Sequence, residues 1–126
     1  MIFLIHEKNL SLFSEINTID DARKIIKEIG SDSKSINIMA TKALTKVIRV
    51  NDVILQDAII IKQDMLSLGG EVAVPKNTFK LHEKTGDILI IGNLKQIKEL
   101  IIKLNRHYPR LKKISEKISD LIKDVK

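Results

Sequence analysis

The sequence predicts an α+β fold in which helices cover a single-layer mixed sheet, and three observations predict it. Strand-like and helix-like runs alternate irregularly, with strand pairs between helices, unlike the strict βαβ alternation of a doubly wound sheet. Residues 52–68 carry two adjacent apolar stripes, as in a helix buried over much of its circumference. The run DILIIG at 87–92 has the composition of a central strand. At 126 residues and 44% hydrophobic, the chain is sized for one domain, expected over 1–126, with a core that needs no disulfide.

The elements follow in order. Ile2 to Ile5 read as a short strand, followed by a loose polar stretch through Asn17. Thr18 is placed as a helix N-cap, with Asp20 and Asp21 in the first turn, where carboxylates meet unpaired N–H groups. Ile19, Ala22, Ile25, Ile26 and Ile29 keep helical spacing up to Gly30. After the loop SDSKS, the alternation of Ile36, Ile38 and Ala40 predicts a strand, and residues 46–50 predict another. Asp52 opens the long helix, with Ile54, Ala58, Ile61, Met65 and Leu68 on one stripe and Leu55, Ile59 and Leu66 on the second. Gly69 and Gly70 stop it, and residues 71–74 form a strand that Pro75 ends. A polar loop or long hairpin connection spans 76–86. Asn93 caps the next helix, with Leu94, Ile97, Ile101 and Leu104 inward and Lys95, Lys98 and Lys103 outward. Pro109 begins a basic amphipathic helix over 109–126 with a stripe of Leu111, Ile114, Ile118, Leu121 and Val125.

The net charge of +6 is unevenly distributed. Residues 1–92 hold 12 Lys/Arg and 12 Asp/Glu; residues 93–126 hold 10 and 4. The basic C-terminal quarter is either a solvated helix face or a surface for nucleic acid, an anionic surface or an acidic partner. Zero cysteines remove thiolate catalysis, Cys-ligated zinc and disulfides, in keeping with a cytoplasmic protein. The opening MIFLIHEKNL lacks the basic n-region and long apolar run of a leader, and no membrane span is expected. His6, His82 and His107 have no metal-ligand spacing, and no phosphate-cradling glycine loop or nucleophile elbow occurs. No catalytic residue, metal or cofactor is therefore assigned. Phe3, Phe13, Phe79 and Tyr108 are too dispersed for a base-stacking platform.

The most informative stretch is KQDMLSLGGEVAVPKN at 62–77, which reads without a ligand as a helix end, a Gly-Gly stop and a strand. Together with GDILIIGNLKQIKELIIKL at 86–104, it resembles the small N-terminal domain preceding the pterin-binding barrel in dihydropteroate synthases of some thermophilic and anaerobic bacteria. The resemblance rests on Lys62, Gln63, Asp64, Met65, Leu66, Ser67, Gly69, Gly70, Glu71, Val72 and Ala73, then on Asp87, Ile88, Leu89, Gly92, Lys95 and Gln96. It spans about residues 15–121. Where that family has Pro-Phe-Gly, this chain has His107, Tyr108, Pro109 and Arg110. A (β/α)₈ barrel needs about 200 residues or more, so none is expected here, and no catalytic residue of the family transfers.

The resemblance implies a non-catalytic accessory domain acting with a pterin-binding barrel protein in folate or tetrahydromethanopterin synthesis. The residues it marks as partner contacts are Lys62, Gln63, Asp64, Gly69 and Gly70. Two other readings stand beside it: a nucleic-acid or anionic-surface binder using residues 95–126, and a small enzyme built on a carboxylate pair. Asp57 and Asp64 are that pair, since seven residues make nearly two helical turns and place both acids on one side. The stripe of the last helix, with Ile118 at its centre, is expected to pair two copies of the chain unless the domain itself covers it.

Overall fold

A computed structural model describes residues 3–7, 9–13, 15–76, 78–80 and 83–125, with the backbone alone at 3–7 and 79. His82, the His6 side chain, and the first and last residues of the expected terminal elements lie outside the described residues. The fold is α+β, as expected, and the sheet does not close into a barrel. The described residues up to Leu44 form one compact unit and Thr45–Val125 a second.

In the first unit, β1 (Phe3–Glu7) pairs antiparallel with β2 (Leu10–Phe13). Strand β2 falls in the stretch expected to be loose and polar: Leu10 and Leu12 are 69% and 49% exposed and leave no buried alternation to read. Helix α1 (Ile19–Glu28) begins as predicted: the Thr18 hydroxyl accepts from the Asp21 amide at 3.1 Å, and Asp21 accepts from the Asn17 amide at 3.2 Å. Gly30 has φ +83°. Residues 33–42 are a helix, α2 (Ser33–Lys42), and not the expected strand. The Asp32 carboxylate caps it through the Lys34 amide, and Ile36 and Ala40, four apart, share one face while Ile38 is 59% exposed. The alternation at 36, 38 and 40 fits either period, and the cap decides it.

In the second unit, β3 (Thr45–Ile54), β5 (Thr85–Asn93) and β4 (Glu71–Ala73) form a sheet in the order β3-β5-β4. Every described strand pair is antiparallel, a correction to the mixed sheet expected. Strands β4 and β5 pair antiparallel as the two arms of a long hairpin, with one 3₁₀ turn described between them at Thr78–Lys80. In register, Ile48, Ile90 and Val72 stand side by side, next to Val50 and Ile88. This face packs with Ala58, Ile61, Met65, Ile97, Leu100, Leu104, Leu111 and Ile118 into one core. Three helices supply those partners: α3 (Leu55–Ser67), α4 (Leu94–Leu104) and α5 (Pro109–Ile122).

Asp52 does not start α3. It sits at a bulge in β3 with φ +55°, and its amide donates to the Asp87 carboxylate at 3.0 Å. The second stripe of α3 is only partly buried, since Leu66 is 47% exposed. Helix α4 opens with a reciprocal capping box between Asn93 and Gln96; Leu94, Ile97 and Leu104 are buried as expected, Ile101 packs half-buried against the core, and Leu100 is buried as well. Of the α5 stripe, Leu111 and Ile118 enter the unit's own core, Ile114 packs half-buried against it, and Leu121 is 61% exposed. No helix among the described residues is long and apolar enough to cross a membrane.

Candidate functional site

The two strings that carried the family resemblance meet in space. Strand β4 pairs with β5 through Glu71↔Ile91, Val72↔Ile90 and Ala73↔Leu89. The Gln96 amide donates to the Leu68 carbonyl at 3.2 Å and so satisfies one of the free carbonyls at the end of α3. Gly69 turns the chain there with φ +89°. Gly70 is needed for space: a Cβ on it would lie 2.5 Å from the Met65 methyl and 2.9 Å from the Ile91 carbonyl oxygen. Met65, fully buried, fills the room that the missing side chain leaves.

The five residues marked as partner contacts spread around this junction. Lys62 Nζ reaches back to Glu71 Oε1 at 2.8 Å and the Val72 carbonyl at 2.7 Å, tying α3 to β4. That bond to Lys62, with the Val72 amide, holds the Glu71 carboxyl below its usual range. Gln63 is exposed, Asp64 turns to the other side, and Gly69 and Gly70 form the turn. The fold brings the strings together; it does not gather these five side chains on one surface patch.

A second cluster lies along α3, where the linker 105–108 and the start of α5 dock. Asp57, 2% exposed, accepts from Arg110 Nε at 2.8 Å, from Arg110 Nη2 at 3.0 Å and from the Tyr108 hydroxyl. The two arginine bonds form the fork that a planar guanidinium makes with a carboxylate. The guanidinium also sits 4.9 Å from the Tyr108 ring centroid, over its face. One turn pair further on, His107 Nε2 and Asp64 Oδ2 are 2.9 Å apart, and Lys103 Nζ donates to Ser67 Oγ at 2.7 Å. The two acids seven residues apart do share one side of α3, as their spacing predicts. Asp64 takes His107 and Asp57 takes Tyr108 and Arg110 from HYPR, the segment at 107–110 that departs from the family pattern.

Burial alone would raise the Asp57 carboxyl, but hydrogen bonds from Arg110 and Tyr108 and the guanidinium charge outweigh it and leave it below the usual range. Tyr108 is pushed up by burial and by the carboxylate it donates to, so its hydroxyl stays a donor. Asp57 is thus an ionised acceptor engaged by three donor bonds, an anchor more than a base. The sequence reading missed its burial, and the signal was its place between Leu55 and the apolar run at 58–61. Among the described residues no group of three or more His, Asp or Glu could hold a metal.

The chain is similar to the bifunctional dihydropteroate synthase/dihydropteroate reductase of Helicobacter pylori: 25% identical over 104 residues, or 82% of this chain. It spans only 27% of that protein's length. No protein-family model matches the chain, and no solved structure matches it. What is shown is likeness to a part of a dihydropteroate synthase-containing protein, in keeping with the resemblance in residues 62–73 and 87–96.

Between β3 and α5 runs a groove in two lobes, about 220 and 200 Å³. Ile48 and Val50 line it from the strand, and Ile114, Ile118 and Leu121 from the helix. Its second lobe reaches the Asp57–Arg110 pair and is edged by Lys113 and Lys117.

Proposed function

We propose that this chain is an accessory segment of the dihydropteroate synthase type, acting with a pterin-binding barrel protein in folate or tetrahydromethanopterin synthesis and taking no part in the condensation itself. The observation that carries this reading is the likeness to 27% of a bifunctional dihydropteroate synthase/reductase. The 104 matched residues are about half of what a (β/α)₈ barrel needs. They fold here as sheet and helices, so the shared part supports a role beside a barrel. The site geometry is compatible with docking work: the Gly69–Gly70 turn closes one end of α3, Lys62 ties its middle to β4, and the HYPR segment is fixed along it.

The test mixes the purified chain with the dihydropteroate synthase barrel of the same source. The expected result is a complex in sedimentation velocity, together with a changed KM of the barrel for its pterin substrate. Absence of any complex at high micromolar concentration of both proteins refutes the reading. So does condensation by the chain alone that scales with its concentration.

A further inference from the structure

We propose that the groove between β3 and α5 receives an extended acidic segment of a partner protein, added along the free edge of β3 as a fourth strand. Three independent observations converge on it.

The first is the edge. Among the described strands, in the order β3-β5-β4, β3 pairs on one side only, so its outer backbone groups are a template for another strand. The regular part ends at the bulge after Val50, which leaves residues 45–50 to pair, a length of about 20 Å. The second is the apolar lining beside that edge, from Ile48 and Val50 to Ile114, Ile118 and Leu121. Leu121, on the helix side of that lining, is 61% exposed. A strand on this edge would point alternate side chains into the groove.

The third is charge. Arg110, Lys113 and Lys117 fall at i, i+3 and i+7 along α5 and edge one lobe. Arg110 is occupied by Asp57, whereas Lys113 and Lys117 are exposed and have no ion pair among the described residues. Asp52 is the remaining acid on this rim, Arg49 being paired with Asp87 at 2.7 Å. Residues 45–126 contain 16 Lys/Arg and 10 Asp/Glu, so the whole net charge of +6 belongs to this part of the chain. A second copy would bring the same net charge of +6 and the same unpaired Lys113 and Lys117 to this rim, whereas an acidic segment meets complementary charge. The inference does not depend on the partner being a barrel protein.

The experiment uses the full chain and a fluorescein-labelled peptide of about twelve residues that alternates Glu and Val, long enough to cover the edge. Anisotropy is expected to show saturable binding that weakens with salt, and amide shifts should concentrate at 45–50 and along α5. The double variant Lys113→Glu/Lys117→Glu should weaken binding about tenfold or more, that is about 1.4 kcal/mol. Leu121→Gln, at the other end of the groove, serves as a second variant and should also weaken it. The control Lys98→Glu/Arg106→Glu makes the same change in net charge at exposed positions of α4 and its C-terminal turn, and should bind as wild type. Equal loss in the control, equal binding of a Lys-for-Glu peptide, tighter binding of a single-stranded oligonucleotide, or self-association through β3 would each overturn the proposal.

Discussion

Asp57→Asn tests the clamp between α3 and the last helix. The substitution keeps the shape of the side chain and removes its charge. The wild-type carboxylate accepts the Arg110 fork at 2.8 and 3.0 Å and the Tyr108 hydroxyl. A hydrogen bond to a charged group contributes about 1.5–3 kcal/mol. The three do not add in full, because Arg110 is 53% exposed and regains water when released, and the neutral amide is easier to bury than a carboxylate. One bond's worth, about 1.5–3 kcal/mol, is the expected loss at neutral pH. With a urea slope of about 1–3 kcal/mol per molar, the midpoint should fall by about 1 M. The pH dependence gives an independent check. The folded-state pKa of Asp57 is lowered, so its contribution is present above the unfolded value, about 3.9, and is lost as pH falls through the folded value. The gap between variant and wild type should therefore close on acidification. Urea titrations at neutral pH and at about pH 3 decide it. An unchanged midpoint at neutral pH, or a gap that stays constant into acid, refutes the clamp.

Ile61 is fully buried at the centre of α3, so Ile61→Ala should cost about 2–5 kcal/mol in denaturant unfolding. In Gly70→Ala the new methyl meets the Ile91 carbonyl oxygen, which cannot rotate away, so thermal unfolding should show about 1–3 kcal/mol of overpacking. Ile118→Glu places a charge at a 2% exposed core position, so circular dichroism should show loss of folded signal, and not a folded chain of altered association. Thr18→Ala removes the α1 cap and should lower the stability of the first unit by about 1 kcal/mol, read by amide hydrogen exchange.

Elements with strong periodicity or a specific stop were legible in the sequence. Helix α4 announced itself by Asn93 and its apolar spacing, β5 by an unbroken apolar run, and the end of α3 by Gly69 and Gly70. Two elements and one boundary were not. Strand β2 has no buried side to create a pattern; α2 hides in an alternation that fits two periods; β3, legible at 46–50, runs on through Asp52 because an acid 35 residues away holds the bulge. The same non-locality hid the clamp. Asp57 and Arg110 are 53 positions apart, and nothing near either reveals the other. The shared side of Asp57 and Asp64 was readable from spacing alone, since a helix repeats wherever it is placed. Their partners were not, because the HYPR linker reaches them only after α4 has turned back.

The unequal exposure of the two partners in the clamp has an evolutionary consequence. Asp57 lies 2% exposed, whereas Arg110 is about half in water. A lineage that loses Asp57 first leaves a solvated guanidinium, which costs little. A lineage that loses Arg110 first strands an anion inside the protein, which costs much more. Drift away from this linker is therefore directional: the acid on α3 must go before the arginine does. Homologues caught midway should keep an orphan arginine after the proline far more often than an orphan aspartate at position 57.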